Sequence, residues 1–140
     1  MSIQMTNQNA PINKLISVQS FESDGKLKIL RGYLGGGFQV NDEFVSGSII
    51  LYPRKLLKCP ISNSTEISQE LLDPHIKDIK PDMLLVGVGD NPTHLYQPLR
   101  DYAKQVTIGI DIMSTSSACR TWNVLLSEGR NVVACLIAVP

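Results

Sequence analysis

The sequence predicts an α/β fold built on a mixed sheet, and three observations carry that expectation. The second half alternates apolar strand segments with amphipathic helical ones, the pattern of βαβ crossovers around a largely parallel sheet. The first half has no helical period but short strand-like runs broken by turn residues, which adds antiparallel strands. At 140 residues the chain fits one domain and should bury about two-thirds of the surface its unfolded state exposes, enough for a core without staples.

Met1 to Asn13 is polar and contains Pro11, which suits a flexible arm, so residues 1–13 are set apart from a single domain over 14–140. Leu15 to Phe21 alternates apolar and polar residues, Asp24-Gly25 supplies a turn, and Leu27 to Leu30 begins a returning strand, together an N-terminal hairpin. Gly35, Gly36 and Gly37 then interrupt the pattern. Consecutive glycines can form a nest whose N–H groups point at one anion, but the spacing matches neither GxxxxGK[ST] nor GxGxxG, and a turn or bulge is the favoured reading. Phe44 to Tyr52 reads as one strand, ended by Pro53.

Ile67 to Ile79 repeats apolar residues with a helical period interrupted at Pro74, and Pro81 stops it. Met83 to Val88 is a continuous apolar run, as expected for a central parallel strand covered on both faces. Gly89, Asp90, Asn91 and Pro92 make a turn cluster before a helix around Leu95 to Lys104, and Val106 to Ile110 reads as the next strand. A helix from Thr115 to Glu128 follows, with Ser114 or Thr115 as N-cap and Gly129 ending it in the left-handed conformation. Ala118, Trp122, Leu125 and Leu126 define its buried face, with Trp122 as a core anchor. Val132 to Val139 is the last strand.

Thirteen basic residues balance thirteen acidic ones, which removes the attraction that drives non-specific nucleic-acid binding and lowers the repulsion that opposes a homodimer. Three cysteines, Cys59, Cys119 and Cys135, match neither a disulfide framework nor a zinc site, and with two histidines no metal and no cofactor is expected. The first twenty residues hold one cation, Lys14, and no long apolar run, so no targeting signal is read there. No segment approaches the about 18 to 20 apolar residues of a membrane span. A cytoplasmic protein is expected.

Candidate chemistry gathers where α/β proteins place ligands, beyond the carboxyl ends of parallel strands. Gly89 and Asp90 follow one such strand, and Asp111, Ser114, Thr115, Cys119, Arg120 and Asn123 follow the next or open its helix. Asp90 and Asp111 offer an acid and a base, and Cys119 near a helix N-terminus, with His94 as a partner, offers a nucleophile. The bland readings weigh more: turn residues, backbone acceptors, a buried structural thiol and a solvated His94. His75 lies in the broken helix with no clustered ligands.

The runs GGGFQVNDEFVSGSIILYP, GVGD at Gly87 to Asp90 and IDIMSTSSACRTWNVLLSEGRNVVACLI resemble a Mth-type domain family of unknown function. That family includes a mitochondrial assembly factor of respiratory complex I and an adipogenesis-associated protein. The likeness covers roughly Leu30 to Ile137, and its most specific part is the A-C-R-T-aromatic-N signature opening at Ala118 and closing with E-G-R at Arg130. It implies one three-layer α/β domain, with a central mixed sheet, helices on one side, and a β-hairpin layer with a helix on the other. No enzymatic activity is established for the family, so the resemblance implies a non-catalytic interaction or assembly protein with protein partners. The alternative is a small-molecule or anion-binding enzyme using the strand-end pocket. Trp122 stands where an aromatic residue, often Tyr, is usual. With no mitochondrial presequence, the chain resembles a bacterial member.

Overall fold

The computed structural model describes residues 25–92 and 96–140. The arm, the first hairpin strand at Leu15 to Phe21, His94 and Leu95 lie outside them.

A three-stranded antiparallel sheet comes first, made of β1 (Leu30–Gly32), β2 (Gly37–Val40) and β3 (Glu43–Ser46) in that order. Asn41, at φ 52°, turns β2 into β3, and its side chain holds the incoming chain by accepting from Ile29 N and donating to the Leu27 carbonyl, each at 3.1 Å. Gly47, at φ 84°, splits the predicted Phe44 to Tyr52 strand: β3 stays in this sheet, while β4 (Ser48–Tyr52) enters the central one. A residue in the left-handed region cannot continue a strand. A tight turn at Pro53-Arg54 then gives β5 (Lys55–Cys59), a strand the sequence reading missed.

Ser68 caps α1 (Gln69–Ile76), which runs through Pro74. Beyond it come β6 (Met83–Gly87), α2 (Gln97–Gln105), β7 (Gly109–Met113), α3 (Thr115–Ser127) and β8 (Val132–Leu136). The central sheet has the order β5-β4-β8-β6-β7, with β6 parallel to both β7 and β8, and β4 antiparallel to both β5 and β8. The strand placed at Val106 to Ile110 begins three residues later. Val106 N–H closes the last turn of α2 on the Tyr102 carbonyl, Thr107 is left-handed at φ 61°, and Ile108 N–H returns to the Ala103 carbonyl.

β4, β6 and β8 are apolar apart from the buried Ser48 because both faces are covered. Ile49, Leu51, Leu85, Ala134 and Leu136 pack toward α3 and the small sheet, against Phe38, Val45 and Trp122. Ile50, Leu84, Val86, Val133 and Cys135 pack toward α1 and α2, against Leu72, Ile76, Leu99 and Tyr102. The architecture is thus a mixed central sheet between a layer of two helices and a layer of one helix plus the antiparallel sheet. No helix among the described residues is long and apolar enough to cross a membrane.

On the two-helix side, His75 meets the Tyr52 hydroxyl through Nδ1, and Lys55 stands over the Tyr52 ring. Burial first, and then the Lys55 charge, hold the His75 imidazole below its ordinary value of 6.5. The neutral ring is therefore the form the fold favours. Its contribution is complete above the unfolded value of about 6.5 and is lost as pH falls through the lower folded-state value. Wild type should lose more of its urea midpoint between pH 7.5 and 5.5 than His75→Gln does; equal losses would remove His75 from the account.

Candidate functional site

The helix that opens the signature is fastened to the sheet edge by a side chain the sequence singled out. Ser114 accepts Ser117 N–H as the N-cap, at 3.2 Å. Thr115, 0% exposed, accepts Gly89 N–H at 2.9 Å and donates to the Ile137 carbonyl at 2.7 Å, while its own N–H bonds to the Gly89 carbonyl at 3.1 Å. Val88 N–H bonds to the Met113 carbonyl, and Ile137 N–H to the Gly87 carbonyl. The carboxyl ends of β6, β7 and β8 are thereby tied together. Gly87 lets the helix approach: a Cβ there would lie 3.1 Å from Ala118, Leu136 and Thr115.

The eight candidate residues fall into two groups. Gly89 and Thr115 belong to this fastening, Ser114 caps the helix, and Asp90 and Asp111 are exposed with no ion pair among the described residues. Cys119, Arg120 and Asn123, one to two turns into α3, line a different space: a groove of about 400 Å³ between α3 and the small sheet.

This groove exists because α3 grips the chain just before and at the start of β1. Trp122 Nε1 donates to the Lys28 carbonyl at 2.7 Å. The Asn123 amide pairs with Leu30 as a strand would, Oδ1 accepting Leu30 N–H at 2.9 Å and Nδ2 donating to the Leu30 carbonyl at 2.7 Å. With those backbone groups satisfied, the segment runs on to expose Arg31 and Leu34, with Tyr33 half-buried between them, all three lining the groove opposite α3, and Phe44 of β3 completes the wall. Leu34 is 67% exposed and Phe44 49%. Sequence reasoning missed these four; the available signal was Leu34, a large apolar residue directly before the glycine triplet with no place in the strands read from the sequence.

Cys119 is 5% exposed. Burial pushes its thiol up to about 12, the neighbouring Arg120 opposing only in part. The activated-thiolate reading of Cys119 therefore gives way to a protonated, structural thiol, because desolvation outweighs the nearby cation. Arg120 is exposed, and Nη2 reaches the Ser117 hydroxyl at 3.4 Å; Glu128 pairs instead with Arg130, at 3.9 Å. The nest reading of the glycine triplet also gives way to the turn. Gly36 N–H bonds to the Val139 carbonyl and the Gly36 carbonyl accepts Gly47 N–H, both at 2.8 Å. Among the described residues no cluster of His, Cys, Asp or Glu could hold a metal ion. All three cysteines are buried and unbridged.

Residues 30–137 match the family model described as "Protein of unknown function (DUF498/DUF598)". The chain belongs to that family. It is 30% identical over 139 residues to NADH dehydrogenase (ubiquinone) 1 alpha subcomplex assembly factor 3 of Drosophila melanogaster, covering 87% of this chain and 70% of that protein. Against the human protein of the same name the identity is 29% over 114 residues, 77% of this chain and 59% of the relative. Among solved structures, one titled as an outer membrane protein from Bartonella henselae superposes with a TM-score of 0.74 at 33% identity, over 85% of this chain and all of that one. A Bordetella pertussis protein titled a Mth938-like domain superposes with a TM-score of 0.66 at 26% identity, over 80% of this chain and 86% of that one. In this family member, the signature residues Ala118, Trp122 and Asn123 do architectural work: Ala118 seats the helix on Gly87, and the other two hold the strand that shapes the groove.

Proposed function

We propose that this chain is a non-catalytic docking protein of the assembly-factor type, which binds a protein partner through the groove between α3 and the small antiparallel sheet. The observation that carries this reading is the distribution of exposed apolar side chains. Of the exposed large apolar side chains among the described residues, Leu34 and Phe44 line the groove, Leu27, Ile29 and Val124 lie outside its lining on the chain leading into β1 or on α3, and Ile79 lies elsewhere. Large apolar groups gathered around a cleft mark a surface that a partner covers. The fly and human relatives named as complex I assembly factors support the same reading and make respiratory-complex assembly the role to test first.

The enzyme alternative finds less support. Thr115 and Gly89 are committed to closing the strand ends, and the Cys119 thiol stays protonated at neutral pH. Balanced charge argues against nucleic acid, and unbridged cysteines suit a reducing cytoplasm.

The test is affinity capture of the tagged full chain from its native cell, alongside Leu34→Ser/Phe44→Ser. Both side chains are exposed, so the variant should keep its melting temperature. Losing their burial against a partner costs roughly 2 kcal/mol, about thirtyfold in affinity. A partner recovered equally by both chains would defeat the proposal.

A further inference from the structure

We infer that the groove between α3 and β1 takes an acidic segment of its partner, with an apolar anchor seated between carboxylate side chains. This rests on the docking reading and specifies its chemistry. Two guanidinium groups flank the groove, Arg31 from β1 and Arg120 from α3, both exposed, and no carboxylate lines it among the described residues. The other polar groups there do not balance that charge. The Asn123 amide is paired with Leu30, the Gln39 amide reaches the Asn41 carbonyl at 3.5 Å, and Cys119 is a neutral thiol.

A partner covering Leu34 and Phe44 therefore takes two cations out of water as well. An apolar partner would leave both unpaired, a loss that burial of two side chains does not offset. Carboxylates opposite them form forked, charge-assisted hydrogen bonds whose geometry the planar guanidinium already holds.

Two competing occupants fit less well. A second copy docked about a two-fold axis through this groove would set Arg31 and Arg120 against themselves with no acid between them. An added β-strand at Leu30 is blocked, because the Asn123 amide already occupies that residue's N–H and carbonyl. Recognition is thus by side chains.

The experiment uses full-length chain labelled with ¹⁵N and two synthetic peptides sharing a central Leu-Phe pair, one flanked by glutamates and the other by lysines. The glutamate peptide should shift the backbone amides of residues 30–34, 44 and 119–123. Its affinity should exceed that of the lysine peptide at least tenfold, and Arg31→Gln and Arg120→Gln should each weaken it about tenfold. Equal binding of the two peptides, binding of neither, or binding indifferent to both arginines overturns the inference. So does a dimer through the groove that loss of the arginines strengthens. Binding by Glu22→Lys/Asp24→Lys but not by wild type overturns it too, in favour of the chain's own acidic pair. The two readings fail separately. If Leu34→Ser/Phe44→Ser loses the native partner while Arg31→Gln/Arg120→Gln retains it, docking stands and the acidic partner falls; if both variants retain it, docking falls as well.

Discussion

Trp122→Ala should lower the unfolding free energy by about 4 kcal/mol, the scale for removing a buried aromatic side chain. The indole is 1% exposed and lies where α3, β1 and the central sheet meet, so no neighbour can relax into the space without moving an entire element. It also carries the hydrogen bond that holds the buried Lys28 carbonyl. Trp122→Phe separates the two contributions. It keeps most of the ring, leaves the Lys28 carbonyl without that donor, and should cost about 1 to 3 kcal/mol, less than the alanine variant. Urea unfolding followed by circular dichroism reads both. A loss below about 1.5 kcal/mol for Trp122→Ala would mean that α3 is not the element organising this layer. Such a loss bears on function, since Trp122 and its neighbour Asn123 hold the segment that carries Arg31, Tyr33 and Leu34 into the groove.

What the sequence reveals of this architecture depends on whether the signal is local. The run Met83 to Val88 can be read as a strand because a strand covered on both faces is apolar along its length; it forms β6 one residue shorter, to Gly87. The limits of α3 were legible because its ends are made by adjacent residues, the Ser114 cap and Gly129 at φ 72°. Gly47 reads as an interior strand residue because its neighbours on both sides are strand formers; only its left-handed backbone, invisible in composition, reassigns them to two sheets. Val106 and Ile108 mislead for the opposite reason. They are apolar, but their backbone groups complete the end of α2.

The candidate site follows the same rule. Cys119, Arg120 and Asn123 line one groove, and their grouping is legible because Arg120 to Asn123 at i,i+3 and Cys119 to Asn123 at i,i+4 are local relations on one helix. That Asn123 would pair with Leu30, 93 residues away in sequence, lies outside any local pattern, as does the closure of Thr115 on Gly89 and Ile137. A hydroxyl at a helix start looks the same in sequence whether it awaits a ligand or bonds a distant carbonyl.

Gly37→Ala should be the most damaging single-methyl addition, at about 3 kcal/mol, the upper part of the range for overpacking. Gly37 is ordinary strand backbone, so the cost is contact and not conformation. A Cβ there would stand 2.2 Å from the Val45 carbonyl oxygen and 2.8 Å from both Ser46 Cα and the Phe44 ring. Two of those three atoms are backbone of β3, paired with β2 from Gly37 opposite Ser46 to Val40 opposite Glu43. A flexible side chain could turn away from the new methyl; a strand must shift as a unit. β3 would therefore separate from β2 at its end and carry Phe44 out of the groove wall. Two consequences distinguish this from general loosening. The amides of β3 should lose hydrogen-exchange protection while those of β6 and β8, on the central sheet, keep theirs, and partner capture should fall as it does for the Leu34→Ser/Phe44→Ser variant, even below the melting temperature. Uniform loss of protection across both sheets would instead make the small sheet inseparable from the core, and the groove could not be altered independently of the fold.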